Sequence, residues 1–190
     1  MNRRLILPLA GATLSLGLLA WGVTSALDRL LRPTAERPPA EATADAPTGH
    51  ITATLFYASD DGQALVPVQR EVPLAEGVVA QGHRIVEAQL APPPSPHRSV
   101  VPPGTTLRAL YLTERGDAFV DLSADVRSAH PGGSLTELLT VYAIVNAITA
   151  NLPAVERVQI LVEGREVDTI AGHVDVRRPL GRDTTLLRTP

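Results

Sequence analysis

The chain has 190 residues, 44% of them hydrophobic and only 3% aromatic, and a formal net charge of −3. That is enough apolar material for one folded domain with chain to spare, while few stacking rings and no basic excess exclude an ordinary nucleic-acid-binding surface. There is no cysteine, and all 17 basic residues are arginine, which removes disulfides, thiolate metal sites, thiol nucleophiles, an N-terminal lipid-modified cysteine, a Walker lysine and a Schiff-base lysine.

Arg3 and Arg4 precede an uncharged apolar run, Leu5–Leu27. As a helix it would span roughly 34 Å, against a hydrocarbon core of about 30 Å. Trp21 lies toward its far end, where interfacial aromatics are enriched. The run reads as an uncleaved transmembrane signal anchor, with residues 1–4 as a cytoplasmic tail. Two other readings stay open: a cleaved signal peptide, for which Thr24-Ser25-Ala26 supplies small residues, and a buried helix, which would need the polar face this run lacks. The short Arg-bearing start resembles a signal n-region and places the rest of the chain outside the cytoplasmic membrane. Residues 28–49, with four prolines and no periodic apolar face, read as a solvated linker.

From His50 the pattern changes. Ile51–Tyr57 is β-rich, Ser59-Asp60-Asp61-Gly62 is a turn cluster, and Leu65–Val72 is a second strand whose proline marks an edge. Ala75–Ala91 follows with helical periodicity, Val78, Val79, Ile85, Val86 and Leu90 sharing a face, although Gly77 and Gly82 weaken it. Residues 92–103, with six prolines, are loop. They form either a stiff surface connection or a polyproline segment for a protein partner. Thr106–Thr113 and Asp117–Leu122 read as a hairpin turning at Glu114-Arg115-Gly116. Ser134–Leu152 is the strongest helix, with capping-box spacing from Ser134 to Glu137 and a stripe of Leu138, Val141, Tyr142, Val145, Ile148 and Leu152. Val155–Val162 is the last strong strand. The order β-β-α-β-β-α-β predicts an α+β fold, an α/β two-layer sandwich with both helices on one face of a mixed sheet. The domain is expected over 50–181, with 182–190 as a flexible tail.

Residues 52–180 resemble the GerMN domain of sporulation and spore-germination proteins. The likeness rests on ordered pieces: Thr54–Tyr57 followed by Leu65–Arg70, Ile85–Leu90, Pro103-Gly104-Thr105 with Leu107, Phe119–Ser123, Val145–Thr149, and Val158–Val162 with Gly164, then Gly172–Val176 before Pro179-Leu180. The resemblance implies an extracytoplasmic bacterial domain behind a membrane anchor, acting as a ligand- or partner-binding module.

The residue types of a chemical site are sparse. His173 and Asp175 could supply two metal ligands, but no second histidine at helical spacing and no carboxylate cluster joins them. No metal or cofactor is therefore expected. Asp121 with Ser123, or with His173, has the makings of a hydrolytic triad, without a G-x-S-x-G elbow. Asn146 and Thr149 flank the apolar stripe and read as a hydrogen-bonded pair fixing the helix to a loop, with ligand contact as the alternative. Asp121 is expected to reach the same region. The candidate positions are Asp121, Ser123, Asn146, Thr149, Gly172, His173 and Asp175. The expected function is a non-enzymatic, membrane-anchored envelope protein that binds a protein partner or a cell-wall component. The alternative is an envelope hydrolase or metal-dependent enzyme using His173 and Asp175.

Overall fold

Ile51 to Tyr57 mix threonine with apolar and aromatic residues, which favours extended backbone. They form β1 (His50–Ala58) of a computed structural model that describes residues 49–188. The apolar run Leu5–Leu27, the tail before it and residues 28–48 of the linker lie outside the described residues. Among those described, no helix is long and apolar enough to cross a membrane.

β1 pairs antiparallel with β2 (Leu65–Pro73) in unbroken register from His50 opposite Pro73 to Ala58 opposite Leu65. Asp61 shapes the turn between them. Its Oδ1 accepts from the Ser59 hydroxyl and the Gln63 N–H, and Ser59 Oγ in turn accepts from Ala64 N–H, a side-chain substitute for turn hydrogen bonds. The backbone groups of Leu65 point outward, bonding Leu186 and Arg188. Two-residue alternation puts Pro67 and Pro73 on that same outer edge, where they offer no N–H to a foreign strand.

β3 (Leu107–Leu112) and β4 (Asp117–Leu122) form the expected hairpin, its loop closed by Gly116 at φ 80°. β4 then runs parallel to β5 (Arg157–Val162), and β5 also pairs with the two-residue strands β6 (Arg165–Glu166) and β7 (Leu180–Gly181). The helices are α1 (Val78–Leu90), the short α2 (Asp125–Ser128) and α3 (Ser134–Asn151). The fold is mixed α+β, and its longer elements keep the predicted order.

The single sheet with helices on one face is not what forms. β1 and β2 make a separate ribbon, while the remaining strands make a five-stranded mixed sheet. Helices α1 and α3 pack against strands of both. Side-chain amides explain the split. Gln89 on α1 accepts from Phe56 N–H and donates to Phe56 O, and Asn151 on α3 does the same for Thr54. The free edge of β1 is thus closed by two helices instead of a strand.

Burial corrects both helical stripes. Val78 and Val79 are about two-fifths exposed, whereas Gln81, Gly82, Ile85, Val86 and Gln89 face inward. Gly82 is there for space. A Cβ on it would stand 3.2 Å from Leu152 Cδ1 and 3.3 Å from Leu110 Cδ1, so a larger residue fits only if those leucine ends shift by a few tenths of an ångström. Helix α3 is buried almost all round, only Tyr142 being partly exposed between Leu139 and Ile148. It has two sheets to satisfy, so no single stripe describes it. Its capping box does not form. Gly133 is the N-cap, no side chain caps it, and Glu137 turns into the interior. Nor are residues 183–188 free of the fold. Asp183 is clamped by Asn146, Leu186 and Arg188 bond Leu65, and Arg188 pairs with Asp61.

Candidate functional site

Asp121 and Ser123 stand at the carboxyl end of β4, and both are engaged with backbone. Asp121 Oδ1 accepts from Gly164 N–H at 2.7 Å while Oδ2 lies 3.3 Å from Arg108 Nη1. Ser123 Oγ accepts from Thr106 N–H and donates to Asp125, tying the exit of β4 to the entry of β3. Asn146, fully buried, donates to Asp183 O at 2.7 Å and accepts from Asp183 N–H at 3.0 Å. Thr149 bonds back to Val145 O in its own helix. Asn146 and Asp121 therefore hold different segments and do not meet at one site.

Gly172 N–H donates to Thr169 Oγ1, and His173 joins Glu137. Its buried carboxylate accepts from Ile170, Ala171 and His173 N–H, each at 2.8 Å, and lies 3.2 Å from His173 Nδ1. Burial pushes the Glu137 carboxyl up, but these bonds to backbone N–H outweigh it and hold it below its ordinary value. Asp175 is elsewhere in chemical terms. Both its oxygens are gripped by Arg177, whose hydrogen bond holds the carboxyl far below the usual range. The His173–Asp175 pair of the enzymatic alternative is not assembled. Among the described residues no three His, Asp or Glu side chains are grouped to hold a metal.

The carboxyl ends of the parallel strands β4 and β5 open onto a cleft of about 830 Å³, the place where open α/β sheets bind ligands. One wall is Ala124, Arg127 and Ser128 of the α2 region; the other is Glu163, Arg165 and Glu166; Val162, Val167 and Ile170 make it apolar underneath. The wall between β5 and β6 is a two-residue turn with positive φ at both positions, 54° at Glu163 and 73° at Gly164. A non-glycine residue there costs about 1–2 kcal/mol. The Glu163 side chain offsets it, accepting from Ala124 N–H at 3.0 Å and standing 3.5 Å from Arg108. On the opposite wall Arg127 Nε donates to Ile170 O at 3.3 Å. Two smaller hollows of about 460 and 470 Å³ flank the β1–β2 turn.

Sequence reasoning reached Asp121 and Ser123 but missed Arg108, Arg127, Glu137, Glu163 and Arg165. Glu163-Gly164 after a strong strand was a legible turn signal. Glu137 was absorbed into a capping box, and nothing in the local sequence joins Arg127 to Arg165.

No curated protein matches the sequence. A candidate lipoprotein from Clostridium perfringens shares the fold at TM-score 0.50 and 24% identity, over 73% of this chain and 91% of that one. The first GerMN domain of the sporulation protein GerM from Bacillus subtilis matches at TM-score 0.55 and 18% identity, over 70% of this chain and 98% of that one. The tandem GerMN domains of the same protein match at 0.54 and 17%, over 71% of this chain and only 46% of that one. These likenesses establish the fold. The family model for sporulation and spore germination, Germane, matches residues 54–168, and the chain belongs to that family.

Proposed function

We propose that this chain is a non-enzymatic module of the bacterial cell envelope, held by Leu5–Leu27 with residues 50–181 outside the cytoplasmic membrane, and that it binds a protein partner or a cell-wall component through the cleft at the carboxyl ends of β4 and β5. Family membership and the likeness to a candidate lipoprotein support a tethered, extracytoplasmic placement. The observation that carries the binding reading is a division of labour. The carboxylates and amides with the residue types of a chemical site, Asp121, Glu137 and Asn146, are engaged in holding backbone, while the cleft wall presents arginines and a hydroxyl to solvent.

The test is a photo-crosslinking amino acid at Ser128 in the full chain, irradiated in living cells, with the same group at Thr52 on the exposed ribbon as control. A discrete adduct from Ser128, to a protein or to lysozyme-sensitive material, and none from Thr52 is the expected result. No adduct at Ser128, or equal adducts at both positions, rejects the cleft as the binding site.

A further inference from the structure

We infer that the cleft takes the free carboxylate of a peptide, gripped between Arg127 and Arg165. This deepens the reading above, since it names the ligand chemistry of the same cleft. Three observations converge. First, the charges on the two walls are not equivalent once their partners are counted. Glu163 has one oxygen on Ala124 N–H and the other facing Arg108, and Arg108 also faces Asp121. Those groups are committed to one another. Arg127 and Arg165 have no carboxylate partner among the described residues. They stand in a domain with an acidic excess, ten arginines, themselves included, against fifteen carboxylates over 50–181. Two uncommitted guanidiniums facing one cleft present planar donor forks that match a carboxylate two bonds at a time.

Second, Arg127 is positioned before any ligand arrives. Its Nε is fixed on Ile170 O, which lowers the ordering cost of binding and leaves the terminal nitrogens of the fork for a ligand.

Third, the remaining surroundings favour peptide over a phosphate-bearing ligand. Ile170 is almost wholly buried and Val162 nearly so, giving an apolar floor for a small side chain. Glu166, on the rim, repels a dianion and accepts from amide N–H or ammonium groups. Glu166 lies opposite Leu161, one step beyond the pair Val162–Arg165 that closes the turn. In an antiparallel ladder that position points its own N–H and C=O away from the partner strand, toward the free side of β6. An extended peptide can therefore add backbone hydrogen bonds along β6 while its terminus meets the arginines. A cleft of about 830 Å³ is within the range that holds a short peptide.

The measurement is calorimetric titration of the full chain in detergent with three probes: acetyl-trialanine carrying a free carboxylate, the same peptide as its C-terminal amide, and inorganic phosphate. Saturable binding of the free acid, at least tenfold weaker binding of the amide, and no competition from phosphate are expected. Arg165→Gln, an exposed position whose loss disturbs no internal bond, should weaken the acid about tenfold with an unchanged melting temperature, and Arg165→Lys should recover only part of that. Equal binding of acid and amide, no binding of either, or equal competition by phosphate overturns the assignment. The Ser128 crosslink keeps the two claims apart. An adduct in cells that survives Arg165→Gln leaves the cleft as the binding site and rejects the carboxylate grip.

Discussion

Side-chain amides do in this protein what strands do in others. Gln89, Asn146 and Asn151 each donate to and accept from the backbone of one distant residue, Phe56, Asp183 and Thr54 respectively. Gln159 on β5 donates to Val176 O in the same manner. A side-chain amide has the donor and acceptor geometry of a peptide unit, so one residue can close a sheet edge or pin a tail. Removing one strands the partner's backbone groups in the interior, which costs more than the bond itself was worth. Asn146→Ala is therefore expected to destabilise the fold by about 1–3 kcal/mol. Gln89→Leu, which fills the space but orphans two buried backbone groups, should cost about 2–4 kcal/mol. Thermal melts of the two variants against wild type check both figures; an Asn146→Ala melt indistinguishable from wild type would refute the structural role.

His130 makes a second residue-scale prediction. Its Nδ1 accepts from Gly132 N–H at 2.9 Å, which fixes the neutral ring with its proton on Nε2, facing Thr140 Oγ1 at 3.2 Å. Burial lowers its affinity for a proton below the ordinary value of 6.5. In the unfolded chain the ring protonates as pH falls through about 6.5, while in the fold it resists, so acid favours unfolding. Stability should be fully present above pH 6.5 and decline as pH falls below it, with a further decline from Glu137 below about 4.5. Denaturant melts from pH 8 to 5 should show that first decline in wild type and a flattened profile in His130→Asn.

At the scale of elements, what was legible depended on whether the signal was local. The β3–β4 hairpin was readable because Glu114-Arg115-Gly116 sits between two alternating runs, and Gly116 does adopt the positive φ the turn requires. The edge character of β2 was readable from Pro67. The burial of Gln81 and Gln89 was not, because helical periodicity scores a glutamine as solvent-facing, and only the position of Pro73 and Phe56 in space reveals its partners. Glu137 shows the same limit. Capping-box spacing is a correct local pattern, but three backbone N–H groups converging from Ile170, Ala171 and His173 hold the carboxylate more strongly than one at its own helix end. Asp121 and Ser123, beside the cleft, were found from the strand that carries them; Arg127 and Arg165, which line it, lie on elements that meet only in three dimensions.

The segment after β7 gives an element-scale prediction. Residues 183–188 contribute two bonds to Asn146 and two to Leu65, beside the Arg188–Asp61 pair. Truncation after Gly181 should thus destabilise the domain by about 2–4 kcal/mol, at roughly 1 kcal/mol for each internal hydrogen bond. Truncation after Arg188 should leave it unchanged. Melting of the two truncated proteins separates a structural strap from a dispensable tail.

At the scale of the whole molecule, residues 183–188 strap the fold, and the proposed binding cleft lies at one end of the mixed sheet. Family membership explains the fold, yet the binding role depends on which side of the membrane that end faces. The absence of cysteine from the chain makes this directly measurable. A single cysteine at Arg115, exposed at the β3–β4 turn, and another at Asn2 can each be probed with a membrane-impermeant maleimide in intact cells. The account predicts that Arg115→Cys is labelled in intact cells and Asn2→Cys only after lysis. The reverse pattern, with Arg115→Cys shielded until lysis, would contradict the extracytoplasmic placement on which the proposed function rests.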